Sequence, residues 1–283
     1  MNILIVGLGL IGGSFCRTIK KHTTDTVLGM DIDQNTVNQA VESGAIDRQA
    51  NFEDISIADL TFVCLYPQQT IDFITEHASQ FKPGSVVADT CGIKNRIVSN
   101  CEKALLPYGV HFVGIHPMAG REFSGFSYST DSLFQGASFI VTASKQSNPD
   151  AVNLVTDLAV RMGFGEIVRT SPEQHDKIIA FTSQLAHVVS NAYMKSPTAL
   201  YERGFTGGSF QDLTRVAMLN DKMWTELFWL NKEPLLYEIN TIIAHLSQYR
   251  DALLTGDLAT LQRLLYEGSE LKKQDLKANG KIK

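Results

Sequence analysis

Residues 2–6 (NILIV) form a short apolar run closed by Gly7, and residues 10–21 then carry apolar side chains at helical spacing. That pattern predicts a strand, a tight turn and a helix. Strand-like runs recur at 26–30, 61–65, 85–88 and 111–115, with helical patterns between the first four strands and again over 96–106. A further run at 138–142 precedes a helix opened by Pro149 and reaching Met162, and a last short strand follows at 166–169. Continuous apolar strands separated by helical crossovers predict an α/β fold, a Rossmann-type doubly wound parallel sheet with helices on both faces.

The pattern changes at Thr170. Ser171, Pro172 and Gln174 supply an N-cap, an N1 proline and a capping-box partner for a long helix from Glu173 to about Lys195. Beyond it, the segments 210–219, 221–246 and 258–271 all read as helix, and the lysine-rich tail after Lys272 is expected to fray. The expected organisation is therefore residues 1–169 as a dinucleotide-binding domain and 170–283 as an all-helical domain. The helix over 221–246 carries more apolar positions than one face of a monomer needs, which predicts a homodimer built through the helical part.

Composition narrows the function. A length of 283 residues fits about two domains, and a hydrophobic content of 44% gives each its own core. Lys plus Arg number 25 against 30 Asp plus Glu, a net charge of −5 that provides no basic footprint for nucleic acid or anionic lipid. A small molecule is the expected partner. The four cysteines, at 16, 64, 91 and 101, show no metal or redox spacing, so reduced cytosolic thiols in a cytoplasmic protein and no metal site are expected. The apolar amino terminus lacks the basic flank of a signal peptide, and no run of 18 apolar residues suggests a membrane span.

Gly7, Gly9 and Gly12 form G-x-G-x-x-G between the first strand and the first helix. In that context the first glycine permits the turn, the second lets backbone approach a pyrophosphate, and the third lets helix and strand pack closely. The opening amides of the helix, Leu10 and Ile11 among them, face the phosphates. Asp31 ends the second strand at the spacing expected of a ribose-binding acid, whereas Asp33 is better placed as an N-cap. A carboxylate there repels a 2′-phosphate, so NAD is expected over NADP. Tyr66 and Pro67 follow the strand at 61–65 and are expected near the nicotinamide half. His116, at a strand's carboxyl edge before Pro117, is a candidate general base.

Six segments, GLGLIGGS at 7–14, DTCGIK at 89–94, GIHPMAGRE at 114–122, SPEQHD at 171–176, SQLAH at 183–187 and GGSFQDLTRVA at 207–217, together resemble the prephenate dehydrogenase family. The resemblance implies NAD-dependent oxidative decarboxylation of prephenate to 4-hydroxyphenylpyruvate in tyrosine biosynthesis. It implies His116 as the catalytic histidine, Arg215 as the carboxylate-binding arginine, and His187 near the substrate side chain. Gly208 falls in the same substrate segment. Glu122 and Asp176 match acids at the family's active-site mouth, and Ser183 lies with Ala180 and Asp176 on a stripe leading to His187.

Two positions depart from the family pattern. Gly92 stands where many relatives have a serine that hydrogen-bonds the catalytic histidine, leaving Cys91, Thr90 or a water to orient His116. Arg121 replaces a threonine and either adds a second substrate cation or pairs with Glu122. Arogenate dehydrogenase is the nearest rival activity, and a non-catalytic dinucleotide sensor is the rival of a different class.

Overall fold

The structure, a computed structural model, describes residues 1–121 and 123–282. Eight strands form one sheet: β1 (Asn2–Val6), β2 (Thr26–Met30), β3 (Arg48–Gln49), β4 (Leu60–Val63), β5 (Val86–Asp89), β6 (His111–Pro117), β7 (Ser138–Thr142) and β8 (Glu166–Thr170). Their order is β3-β2-β1-β4-β5-β6-β7-β8, with the order reversing between β1 and β4. That crevice, beyond the carboxyl ends of the central strands, is where open α/β sheets bind ligands.

The sheet is parallel from β3 to β6, and β7 then runs antiparallel to β6, pairing Gly114 with Thr142 and Pro117 with Phe139. An all-parallel sheet was the expectation. The described residues of the 118–137 connection hold only a single short turn of helix, Phe126–Tyr128, so no crossover helix returns the chain for parallel pairing. The two-residue β3 carries too short a pattern to be read as a strand from sequence.

Helices α1 (Leu10–His22), α2 (Gln34–Glu42) and α5 (Pro149–Arg161) contribute buried residues to one core cluster, whereas α3 (Pro67–Glu76) and α4 (Asn95–Leu105) contribute to another. In the first, Phe15 meets Phe62 and Phe134 with ring centroids 4.7 and 4.8 Å apart. The second includes Leu227.

Past β8 the described chain is helical: α6 (Pro172–Ile179), a π-helical turn (Ala180–Leu185), α7 (Ala186–Tyr193), α8 (Gly208–Thr214), α9 (Asp221–Leu230), α10 (Lys232–Thr255) and α11 (Leu258–Ala278). Ser171 caps α6 by accepting the Gln174 N–H at 3.2 Å. The helix expected over 221–246 is broken at Asn231, the C-cap of α9. The tail does not fray at Lys272. Ion pairs Lys272–Asp275 and Lys273–Glu270 line the last turns of α11, which continues to Ala278.

The chain divides into two compact units, Met1–Lys232 and Glu233–Lys283. The first therefore holds the sheet together with α6 to α9. Within the second, Asp257 caps α11 and the Tyr249 hydroxyl donates to the Leu264 carbonyl at 3.2 Å. Among the described residues no helix is long and apolar enough to cross a membrane.

A fully buried ion pair lies at the carboxyl end of β5. Lys94 Nζ donates to Asp89 Oδ2, which also accepts the Cys91 N–H at 2.9 Å, and both side chains are 0% exposed. Asp89 Oδ1 has no hydrogen-bond partner among the described residues. Removing the cation strands a buried carboxylate, a change that costs about 3–5 kcal/mol. Lys94→Met is therefore expected to lower the unfolding free energy by that amount, measured from the denaturant midpoint.

Candidate active site

The glycine turn divides its labour between structure and space. Gly7 has φ +88°, and a Cβ there would lie 2.6 Å from the Cys64 carbonyl oxygen. A Cβ on Gly12 would lie 1.9 Å from the Gly7 carbonyl oxygen, so this glycine lets α1 start against the turn. A Cβ on Gly9 would meet nothing within 4 Å. Gly9 is the N-cap of α1, yet α1 has no side-chain cap and no acidic residue in its first turn. Its first amides are thus without a side-chain acceptor among the described residues, which fits a dinucleotide pyrophosphate.

Asp31 stands at the end of β2, where one oxygen accepts the Leu8 N–H at 2.7 Å and the other the Asp33 N–H at 2.9 Å. It holds the glycine turn as well as ending the strand, and its remaining lone pairs suit ribose hydroxyls. Asp33 caps α2, accepting from Asn35 N and Thr36 Oγ1. Tyr66 is the N-cap of α3 and Pro67 its first residue. The α3 N-terminus is closed by Glu226 of α9, whose carboxylate accepts the Gln68 N–H at 2.6 Å.

His116 lies near the end of β6, and its Nδ1 is 2.9 Å from His175 Nε2. His175 Nδ1 is in turn 2.7 Å from Asp176 Oδ1. The Asp176 carboxylate also accepts the backbone N–H groups of Lys94 at 2.7 Å and Asn95 at 2.8 Å, capping α4 from another helix. His175 is 1% and Asp176 5% exposed. Burial, with the charges of His175 and Lys94, pushes the His116 pKa well below its usual value. Burial likewise lowers that of His175, against the pull of Asp176. Both shifts favour the neutral imidazole.

These contacts correct two expectations. Neither Cys91 nor Thr90 orients His116; the Cys91 thiol turns to Thr70 Oγ1 at 3.4 Å, and His175 supplies the hydrogen bond. Asp176 does not line an exposed mouth, because three protein donors occupy its carboxylate. His175 was missed as a functional residue, although Pro172, His175, Asp176 and Ile179 carry a readable signal. Their helical spacing marks one buried face, and a histidine buried there needs a polar partner.

The π-helical turn separates this group from a second one. It shifts the register by inserting a wider turn, so the stripe from Asp176 through Ala180 to Ser183 and His187 is not one straight face. The Ser183 carbonyl accepts from His187 Nδ1 at 2.8 Å, and the His187 ring stacks on Trp224 at 3.9 Å between centroids. Burial lowers the His187 pKa, with Arg215 adding to the effect. Arg215, exposed at the C-cap of α8, is therefore electrostatically close to His187. Gly208 opens the same helix.

One turn beyond Trp224, Leu227 links the two groups. A Cβ on Gly92 would sit 3.7 Å from the Leu227 side chain and 3.8 Å from Nε2 of His116. Gln184 Nε2 donates to the Leu227 carbonyl, and Asn231 Nδ2 donates to both Gln184 Oε1 and the Asp176 carbonyl. Arg121 is exposed in the loop after β6, and the expectation for Glu122 falls outside the described residues. All four cysteines are free, and burial pushes the Cys64 thiol up to about 12.

Comparison with known proteins covers both halves of the chain. Residues 15–166 match the family described as prephenate dehydrogenase, nucleotide-binding domain, and residues 171–267 match prephenate dehydrogenase, dimerization domain. The prephenate dehydrogenase of Bacillus subtilis (strain 168) is 29% identical over 271 residues, covering 93% of this chain and 72% of that protein. The crystal structure of prephenate dehydrogenase from A. aeolicus in complex with hydroxyphenyl propionate and NAD+ has a TM-score of 0.86 at 28% identity, covering 98% of each chain. The arogenate dehydrogenase of Synechocystis has a TM-score of 0.82 at 24% identity, covering 97% of this chain and 99% of that one, and so shares the fold. With its nucleotide-binding and helical parts both matched, this chain belongs to the prephenate dehydrogenase family.

Proposed function

We propose that this chain catalyses the NAD-dependent oxidative decarboxylation of prephenate to 4-hydroxyphenylpyruvate, the step that feeds tyrosine formation. The observation that carries this reading is His116, half-buried at the carboxyl edge of the sheet with its pKa pushed down toward the neutral base, in a chain matched along its length by prephenate dehydrogenases. Those relatives, at 28–29% identity, favour prephenate over arogenate. A non-catalytic sensor would have no use for a base built in this way.

Bound NAD supplies the acceptor for the hydride that leaves the hydroxyl-bearing ring carbon. The α1 amides at Leu10 and Ile11, with Gly9 leaving the approach open, bind its pyrophosphate, and Asp31 binds the ribose and disfavours a 2′-phosphate. Tyr66 and Pro67 border the nicotinamide side. His116 Nε2 accepts the hydroxyl proton as that carbon becomes carbonyl-like, an interaction that strengthens toward the transition state. The ring carboxylate departs as carbon dioxide, and its bonding pair completes the aromatic ring. The phenolic oxygen then takes the proton back from His116. Hydride loss and decarboxylation account for all the electrons, so no proton is released.

Prephenate is a dianion. Arg215 holds one carboxylate through its planar fork, with His187, Ser183 and Gly208 serving the same substrate and Arg121, in the exposed loop after β6, available as a second cation. Residues 1–169 serve cofactor binding, and 170–283 serve substrate binding and dimerisation. The apolar residues Leu236, Tyr237, Ile243 and Leu246 of α10 are all more than half exposed in the single chain, which supports a homodimer. Thiols that form no disulfide suit a cytoplasmic setting.

Mixing the protein with NAD and prephenate is expected to generate NADH and carbon dioxide in equal amounts, faster than with arogenate or with NADP. Absence of NADH with prephenate, or preference for arogenate, contradicts the proposal. His116→Asn is expected to keep NAD affinity and to lower kcat by about 10²–10⁴, the usual worth of a positioned base. The wild-type pH profile carries the sign of the shift. His116 works unprotonated and its pKa lies well below 6.5, so kcat/KM loses this base only as pH falls well below that value. An acid limb at or above 6.5 in the wild type that persists in His116→Asn belongs to another group.

A further inference from the structure

We propose that His175 is a positioning residue that fixes His116 in the tautomer with hydrogen on Nδ1, leaving Nε2 bare to act as the base. The argument follows hydrogen-bond polarity along three side chains. The Asp176 carboxylate takes N–H groups from Lys94 and Asn95, so it acts as an acceptor toward its third neighbour. His175 Nδ1, 2.7 Å away, therefore carries the hydrogen. A neutral imidazole with hydrogen on Nδ1 has a bare Nε2, and His175 Nε2 is 2.9 Å from His116 Nδ1. His116 Nδ1 must then donate. Its own Nε2 is left without hydrogen, on the side of the ring that lies against the open Cβ position of Gly92.

No other arrangement of two neutral imidazoles satisfies both bonds. Reversing the first would aim an N–H-free nitrogen at a carboxylate oxygen, setting two acceptors 2.7 Å apart. The charged groups nearest the pair are Lys94, Asp89 and Asp176, and the buried Lys94 ammonium opposes a second proton on either ring. The order of donors is thus built into the ground state. The same logic makes an aspartate indispensable in a serine protease triad, where a wrong tautomer costs about 10⁴ in rate.

The burial of His175 also suits the reaction. A proton that is borrowed from the substrate and returned to the product needs no exit to solvent, and a ring 1% exposed offers none.

The inference rests on His116 being the base of the proposed reaction, but its first readout needs no turnover. Nitrogen NMR of histidine-labelled, ligand-free protein is expected to show His116 protonated at Nδ1 and bare at Nε2. The opposite tautomer in the wild type overturns the proposal outright. His175→Phe keeps a ring but removes the acceptor, and it is expected to populate the other His116 tautomer and lower kcat by about 10² or more, with prephenate KM and NAD affinity little changed. His175→Gln restores an amide oxygen that can accept from Nδ1, and it is expected to recover the tautomer and bring kcat to within about tenfold of wild type. Equal losses in the two variants with an unchanged His116 tautomer would mean that His175 only packs. If wild-type protein fails to oxidise prephenate, the functional reading fails while the NMR result still decides this one.

Discussion

The molecule depends on what happens at the N-termini of three helices. Each of α1, α3 and α4 begins just after a central parallel strand, so their unsatisfied amides and positive dipole ends converge on the same edge of the sheet. The chain closes two of them with carboxylates from its own later helices. Asp176 of α6 caps α4, and Glu226 of α9 closes α3. Of these three, only the α1 end receives no side-chain hydrogen bond among the described residues. One helix end left open beside two closed neighbours is the arrangement that suits an anion at the start of α1.

Asp176 does more than close a helix. The same carboxylate aligns His175, and the Asp176 carbonyl accepts from Asn231, which continues through Gln184 to the Leu227 carbonyl. Leu227 carries the connection back to the second core cluster and to Gly92. Each polar atom in this chain of contacts is buried, so losing one leaves a partner unsatisfied at about 1–3 kcal/mol. The result is that α6 and α9 are tied to each other and to the sheet, with His116 held by His175 of α6. This explains why the first compact unit runs to Lys232 instead of ending where the strands end.

Local chemistry was legible in the sequence where it depended on neighbours in the chain. The glycine turn, the position of Asp31, the Asp33 cap, the Ser171 and Pro172 helix start and the strand carrying His116 all rest on short-range spacing. What could not be read rests on contacts between distant segments. His175 orienting His116 spans 59 positions, and Asp176 capping α4 spans more than 80. The π-helical turn at Ala180–Leu185 was hidden because its composition differs little from that of an ordinary helix. The reversal of β7 depended on the absence of a crossover helix, a weak signal in a loop containing aromatic residues.

The division of labour among the helix ends is most directly tested by amide hydrogen exchange with and without NAD. The account predicts that NAD slows exchange at Leu10, Ile11 and Gly12, whose amides are otherwise uncapped, and leaves Gln68, Lys94 and Asn95 unchanged because carboxylates already hold them. Protection appearing at Gln68, Lys94 or Asn95 with none at the start of α1 would contradict it.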